Sequence, residues 1–174
     1  MDTRDLSLAV VFAALYSVLV IALAPISFGP VQLRVADVLI PLSALFGWPV
    51  VAGVTIGCFV GNVYIYLGPT DIILGPVANM IAATIILMLR RQRLLACITG
   101  ALPIGLIVGG YLWLVFGFQP PSEFGFLPPL AAMIVSISVS SFIAIGVLGY
   151  ILLVTLSQTG ILEPLKAHGL KILK

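Results

Sequence analysis

The stretch FGPVQLRVADVLIPL, from Phe28 to Leu42, places Gln32, Arg34 and Asp37 in a chain that is otherwise almost entirely apolar. Of the 174 residues, 61% are hydrophobic and 8% are charged, and the mean hydropathy is +1.27. Soluble domains carry about 25% charged residues. A bilayer core of about 30 Å is crossed by roughly 20 apolar residues in a helix, and several segments reach that length. The sequence therefore predicts an all-α integral membrane protein, with residues 1–174 forming one domain.

Proline, glycine and charged residues divide the chain into six apolar segments. The predicted helices are Leu6 to Ala24, Ala36 to Gly47, Pro49 to Leu67, Asp71 to Leu89, Leu94 to Phe116 and Pro129 to Ser157. The first is predicted to be a retained helix, because it is longer than the apolar core of a signal peptide, about 7–15 residues.

The second segment decides the topology because it is the shortest. Its twelve or so residues reach roughly 18 Å as an α-helix, which is less than a bilayer core, so a re-entrant segment is the alternative. Cytoplasmic loops collect Lys and Arg. If the segment crosses, one side holds Arg4, Arg90, Arg91, Arg93, Lys166, Lys171 and Lys174, and only Arg34 lies opposite. We therefore predict a six-transmembrane-helix bundle with both termini in the cytoplasm.

This orientation brings a set of polar side chains to the outer end of the bundle. The candidate substrate-binding residues are Gln32, Arg34, Asp37, Asn62, Asp71, Asn79 and Glu123. A charge at the centre of a membrane helix costs about 2.5–3.5 kcal/mol on insertion scales, so such residues tend to mark function. Asp71, Gly75 and Asn79 share one helix face, with Gly75 predicted to leave an open patch between the polar groups. The set would suit a planar heterocycle that forms hydrogen bonds.

Simpler uses of the charged residues remain open at this point. Asp37 and Asp71 could each cap the N-terminus of a helix, where a carboxylate complements the helix dipole. Arg34 and Asp37 could pair with each other. Phenylalanines and tyrosines in the outer loops could either stack on a flat ligand or form the aromatic belt at the membrane interface.

Catalytic and metal-binding motifs are not found in the sequence. It contains no G-x-x-x-x-G-K-[ST] nucleotide-binding loop and no H-E-x-x-H zinc motif, and its one histidine, His168, lies near the end of the chain. Cys58 and Cys97 fall within apolar runs and are predicted to be buried hydrophobic residues. No catalytic residue, metal or cofactor is therefore expected. The net charge of +2 gives no indication of a nucleic-acid partner.

Small residues recur at four-residue intervals in three helices. Gly53, Gly57 and Gly61 form one stripe, and Gly105 and Gly109 repeat the spacing. Because lipid provides no hydrophobic drive between helices, such stripes favour close backbone packing, and packing within the bundle is predicted for both. A third stripe in the first helix consists of Ala9, Ala13 and Ser17, for which internal packing and docking to another membrane protein are both open.

Three segments together resemble the QueT family. They are FGPVQLRVADVLIPL, GVTIGCFVGN and DIILGPVAN, and the resemblance extends from about Ala9 to Ala83. QueT proteins are substrate-binding (S) subunits of energy-coupling factor transporters, associated with the uptake of queuosine precursors. The resemblance implies a six-helix protein of the prokaryotic cell membrane, without ATPase motifs of its own.

The resemblance also implies partners and a substrate. S subunits dock through an Ala-x-x-x-Ala pattern on the first helix, here Ala9 and Ala13, onto a membrane T subunit coupled to two ATPases. A 7-deazaguanine carries adjacent N–H donors that a carboxylate can accept, which would assign Asp71 or Glu123 to one edge and Asn62, Asn79 or Gln32 to the other. An S subunit for another nutrient, such as a vitamin, and a structural membrane protein without a ligand are the alternatives.

Overall fold

The computed structural model describes residues 2–27, 33–158 and 172–173, and this part of the chain is helical, without strands. Its elements, in chain order, are α1 (Thr3–Ala22), α2 (Ala24–Ser27), a 3₁₀ helix (Val35–Leu42) that continues into α3 (Ser43–Phe46), α4 (Trp48–Ile65), α5 (Pro69–Met88), α6 (Arg93–Leu114), a 3₁₀ turn (Ser122–Phe124), α7 (Pro129–Ser141), a π-helix (Phe142–Gly149) and α8 (Tyr150–Gln158). The last three helices follow one another directly.

Five of the described helices are long and apolar enough to cross a membrane. These helices are Thr3–Ala22, Trp48–Ile65, Pro69–Met88, Arg93–Leu114 and Pro129–Gln158. The predicted all-α fold is thus confirmed for the described part of the chain. The segment Val35–Phe46 is apolar but shorter than the other five.

The short second segment differs from the predicted α-helix because most of it is a 3₁₀ helix. Pro41 lies inside this helix and has no N–H to give to an α-helical hydrogen bond. A 3₁₀ helix rises about 2.0 Å per residue, so the 3₁₀ helix and α3 together extend about 22 Å, more than the same residues would as an α-helix. The 3₁₀ helix packs against α1, α4, α5, α8 and the π-helix, and is therefore enclosed by the bundle.

Helices α1 and α4 run parallel and pack against each other along the glycine stripe of α4. A Cβ on Gly53 would lie 2.7 Å from the carbonyl oxygen of Ala9, and a Cβ on Gly57 would lie 2.7 Å from that of Ala13. The internal packing predicted for this stripe is confirmed. Because both helices run the same way, the chain between them must return to the end where α1 began.

The second segment makes this return. Arg34, just before it, faces Asp71 in the first turn of α5. Ser43 donates a hydrogen bond of 2.9 Å to the carbonyl oxygen of Ala83, further along α5. Trp48, just after it, lines a cavity together with Met88, the last residue of α5. The segment thus runs along nearly the whole length of α5.

The remaining helices pack antiparallel in sequence order. A Cβ on Gly100 of α6 would lie 2.6 Å from the Ile86 side chain of α5. Glycines 105 and 109 of α6 lie against Ser138 and Ile134 of α7, so the internal packing predicted for this pair is also confirmed. At the far end, Arg93 donates a hydrogen bond of 2.7 Å to the hydroxyl of Ser157.

Two neighbouring glycines in α6 give a matched test of this packing. A Cβ on Gly109 would lie 2.7 Å from Cα of Ile134, whereas a Cβ on Gly110 would have no atom within 4 Å. We expect Gly109→Ala to destabilise the protein by about 1–3 kcal/mol through overpacking. Gly110→Ala should stabilise it by up to about 1 kcal/mol, because alanine is the better helix former. Thermal unfolding in detergent measures both, and equal effects would contradict the α6–α7 packing.

Candidate functional site

Two carboxylates and one guanidinium are buried together between the helices. Asp37 projects from the 3₁₀ helix and Asp71 from the first turn of α5, and each is 1% exposed. Nη2 of Arg34 lies 3.8 Å from Oδ1 of Asp71, and the Arg34 side chain is 11% exposed. When both carboxylates are ionised, these three groups carry one excess negative charge. Buried charges are costly unless they are paired and hydrogen-bonded.

Each carboxylate accepts a hydrogen bond from a tyrosine on a different helix. Tyr16 of α1 donates to Oδ1 of Asp37, and Tyr111 of α6 donates to Oδ1 of Asp71 over 2.5 Å. Nδ2 of Asn79 in turn donates to the hydroxyl oxygen of Tyr16 over 2.7 Å. Hydrogen bonds to ionised groups are stronger than neutral ones. The two tyrosines therefore fix the carboxylates in position.

Removing the Tyr16 hydroxyl tests this network. In Tyr16→Phe the buried Asp37 loses a donor and Asn79 loses its acceptor. We expect the folded state to lose about 1–3 kcal/mol, the usual cost of leaving a buried polar group unsatisfied. Tyr64, which is 70% exposed, provides the control. Unfolding in detergent should show a lower midpoint for Tyr16→Phe than for Tyr64→Phe, and equal midpoints would mean that the network adds no stability.

Asn62 occupies the space that was predicted to be an open patch beside Gly75. Its Nδ2 donates a hydrogen bond of 2.9 Å to the backbone carbonyl of Asp71. A Cβ on Gly75 would lie 2.5 Å from this same nitrogen. The glycine is therefore needed for the approach of the Asn62 amide, and the prediction that it leaves room for a ligand is wrong.

Several buried acceptor oxygens have no hydrogen-bond partner among the described residues. They are Oδ1 of Asn62, Oδ2 of Asp71, Oδ1 of Asn79 and the hydroxyl oxygen of Ser27. More than nine in ten buried polar groups in proteins have a partner, so each exception requires an explanation. The described residues contain no group of three or more His, Cys, Asp or Glu side chains that could hold a metal ion. The amide and carboxylate oxygens in this set can only accept hydrogen bonds, so hydrogen-bond donors are the natural complement to the cluster.

A small cavity adjoins the cluster between the 3₁₀ helix, α6 and α7. Its polar wall comprises Ser27, Arg34, Asp37 and Ser141, and its apolar wall comprises Ile104, Val108 and Ile137. The volume of about 20 Å³ holds about one water molecule. Pockets for organic ligands measure about 300–1,000 Å³. A ligand of that kind would enter this cavity only if the surrounding helices separated.

The structure brings together most, but not all, of the residues that the sequence singled out. Arg34 and Asp37 line the cavity, whereas Asp71, Asn62 and Asn79 lie beside it in the same hydrogen-bonded cluster. Glu123 is exposed in the turn before α7 and belongs to no part of the cluster. Gln32 lies outside the described residues.

The small residues of α1 face α4. Ala9 and Ser17 are buried, and the Ser17 hydroxyl donates a hydrogen bond of 3.1 Å to the carbonyl oxygen of Gly57. Ala13 is half-buried against the same glycine. The opposite face of α1 remains exposed, and its members include Val10, Ala14 and Val18. The internal packing considered for the stripe is therefore present.

The cluster extends from Asp71, in the first turn of α5, into the interior of the bundle. Asp37 is joined through Tyr16 to Asn79, which lies ten residues, or about 15 Å, inside the start of α5. The suggested cap hydrogen bonds are absent, because no side chain caps the 3₁₀ helix or α5, although Asp37 and Asp71 both lie in the first turns of these helices, where a carboxylate complements the dipole. The enclosed second segment takes Asp37 into the interior instead.

The two tyrosines and Ser141 were not predicted as site residues from the sequence. A tyrosine in the middle of an apolar helix must find a hydrogen-bond partner when buried, and this signal could have identified Tyr16. Tyr111 lies near the end of its helix, where a tyrosine is equally typical of the interfacial belt. Ser141 is one of several serines in its helix, and nothing in the sequence separates it from the others.

Two comparisons with known proteins point to the same family. A family model described as QueT transporter matches residues 6–158. The Queuosine precursor transporter QueT of Lactococcus lactis subsp. cremoris (strain MG1363) is 33% identical over 81 residues, which make up 45% of this chain and 47% of that protein. The aligned region thus extends over about half the length of this relative. No solved structure matches the chain.

Proposed function

The chain belongs to the QueT transporter family, and from this premise we propose that it is the substrate-binding subunit of an energy-coupling factor importer. It captures a queuosine precursor, a 7-deazaguanine, at the outer face of a prokaryotic cell membrane. A membrane T subunit and two ATPases, which this chain does not contain, drive delivery into the cytoplasm. The name of the Lactococcus lactis relative, a queuosine precursor transporter, supports the substrate.

The proposed topology has six membrane crossings and cytoplasmic termini. The parallel arrangement of α1 and α4 supports it, because the chain must return between these helices, and the segment Val35–Phe46 runs along most of α5. The distribution of Lys and Arg supports the orientation. In this topology Arg4 and the arginines that follow α5 lie on the same side of the membrane, and cytoplasmic loops are the ones enriched in basic residues.

The observation that carries the proposal is the buried cluster of unpaired acceptors beside a cavity. The base-pairing edge of a 7-deazaguanine offers an N–H and an NH₂ group, and its five-membered ring offers another N–H. Asp37 lines this cavity and its carboxylate can only accept hydrogen bonds, so a ligand with N–H donors is favoured over one without them. The apolar wall formed by Ile104, Val108 and Ile137 suits the faces of a flat ring.

The cavity suggests a role for each charged side chain. Asp37 faces the cavity and is the carboxylate proposed to accept the paired N–H donors. Arg34 lines the same cavity and donates to the ring carbonyl. Asp71, held by Tyr111, positions the guanidinium from behind. The excess negative charge would suit a precursor that carries an aminomethyl cation.

Docking to the T subunit is proposed to use α1. Ala9 and Ser17 are covered by α4, so their contribution is to hold α1 close to α4. Ala13 and the exposed Ala14 then provide the small residues that allow a partner helix to approach. Val10 and Val18 extend this face in both directions.

An uptake experiment tests whether the chain binds the substrate by itself and whether uptake requires the partner subunits. Cells that lack their own queuosine uptake would express the chain alone, or together with the T subunit and the ATPases, and receive a labelled 7-deazaguanine. We expect the purified chain to bind the label unaided and the cells to accumulate it only with the partners present. Accumulation by the chain alone would contradict the proposal.

A further inference from the structure

A second cavity lies at the opposite end of the bundle from the buried cluster. It is lined by Trp48, Leu87, Met88, Arg90, Arg91 and Leu173, and its volume is about 600 Å³. Met88, the last residue of α5, lies roughly 25 Å from Asp71 along the helix axis. The cavity therefore plays no part in the site described above.

The positive charge of this cavity and an unpaired N–H group in its wall favour an anionic ligand. Both arginines line the cavity, and Nε of Arg90 is buried without a hydrogen-bond partner among the described residues. Helix α4 begins at Trp48, so the positive end of its dipole also lies at the cavity. A cation after the C-terminus of α5 is common because it offsets the helix dipole. That use explains the charge of Arg90 but leaves its buried N–H group unpaired.

The position and the apolar wall favour a lipid as the source of the anion. Trp48 and Met88, at the ends of two membrane helices, are 61% and 78% exposed. Tryptophan at a helix end is typical of the membrane–water interface. Basic pockets at the cytoplasmic ends of membrane helices are suited to anionic headgroups. The cavity thus combines arginines for a phosphate with apolar side chains for the adjoining acyl chains.

We propose that this cavity binds the headgroup phosphate of an anionic phospholipid. Arg90 and Arg91 hold the phosphate, and Trp48, Met88 and Leu173 contact the glycerol and the upper part of the acyl chains. In the orientation proposed above, the lipid belongs to the cytoplasmic leaflet.

Native mass spectrometry of the full chain in detergent tests this proposal. The protein is titrated with phosphatidylglycerol and, separately, with phosphatidylcholine that has the same acyl chains. We expect phosphatidylglycerol to bind at least about fivefold more tightly, and Arg90→Gln/Arg91→Gln to remove the difference. Arg93→Gln is the matched control, because Arg93 belongs to the same basic run but donates to Ser157 and does not line the cavity. It should keep the preference.

Three results would overturn the proposal. Equal binding of the two lipids by the unaltered protein would show that the cavity has no preference for an anionic headgroup. If Arg93→Gln and the double variant lost the preference for phosphatidylglycerol equally, the preference would be due to general charge attraction and not to the cavity. Displacement of phosphatidylglycerol by millimolar inorganic phosphate would assign the cavity to a soluble anion. An unfolding midpoint in detergent equal to that of the unaltered protein would show that the double variant is folded, so this test does not depend on the transport proposal.

Discussion

Replacing Asp37 with asparagine is expected to weaken the binding of a 7-deazaguanine by at least about 100-fold, because each hydrogen bond to a charged group contributes about 1.5–3 kcal/mol and Asp37 is proposed to accept two. The amide is nearly the same size and its oxygen still accepts from Tyr16, so the fold should persist. Its NH₂ group, however, offers a donor where the ligand needs an acceptor. Isothermal titration calorimetry on the purified protein measures the loss.

Two further carboxylate-to-amide changes sharpen this experiment. Glu123→Gln removes an exposed carboxylate of the loop and should leave affinity unchanged. Asp71→Asn should weaken binding by about tenfold, since Asp71 acts through Arg34 and does not line the cavity. Full affinity in Asp37→Asn, with loss in Glu123→Gln, would place the site in the outer loop instead.

Replacing Ala14 with tryptophan is expected to reduce uptake strongly and to leave substrate binding intact. Ala14 lies on the exposed face of α1, away from α4 and from the buried cluster. A large indole there would hold a partner helix away, and small residues are what allow membrane helices to approach closely. We expect the variant to bind 7-deazaguanine within about twofold of the unaltered protein, with uptake in the full complex reduced by at least about tenfold.

A matched substitution on another helix controls for the bulk of the side chain. Val139 of α7 is also an exposed apolar residue, and Val139→Trp should transport normally. Co-purification with the T subunit gives the direct readout. If Ala14→Trp retained the T subunit and transported normally, α1 would not be the docking helix.

The helical membrane fold could be predicted because long apolar runs admit few other structures in a bilayer. The glycine stripe of α4 likewise predicted close packing, although its partner helix did not follow from the sequence. The 3₁₀ form of the second segment was not predicted. Pro41 gave a hint, but the outcome depends on enclosure by five other elements, which is a property of the assembled bundle.

The candidate site was predictable in part for a similar reason. Arg34, Asp37 and Asp71 were identified because charges are rare and costly in an apolar chain. Their partners were harder to find, since Tyr16 and Tyr111 are 21 and 40 residues away from the carboxylates to which they donate. The same reasoning selected Glu123, because a carboxylate in an exposed loop and one in a buried cluster look alike in sequence.

The most direct measurement of the central claim identifies the small molecule that the protein itself retains. The chain would be expressed in cells that contain queuosine precursors, purified in mild detergent and denatured, and the released compounds identified by mass spectrometry. We expect a 7-deazaguanine in near-stoichiometric amount, and its loss from Asp37→Asn. A vitamin in its place would contradict the assigned substrate. No bound compound, even after incubation with 7-deazaguanines and vitamins, would contradict substrate capture itself.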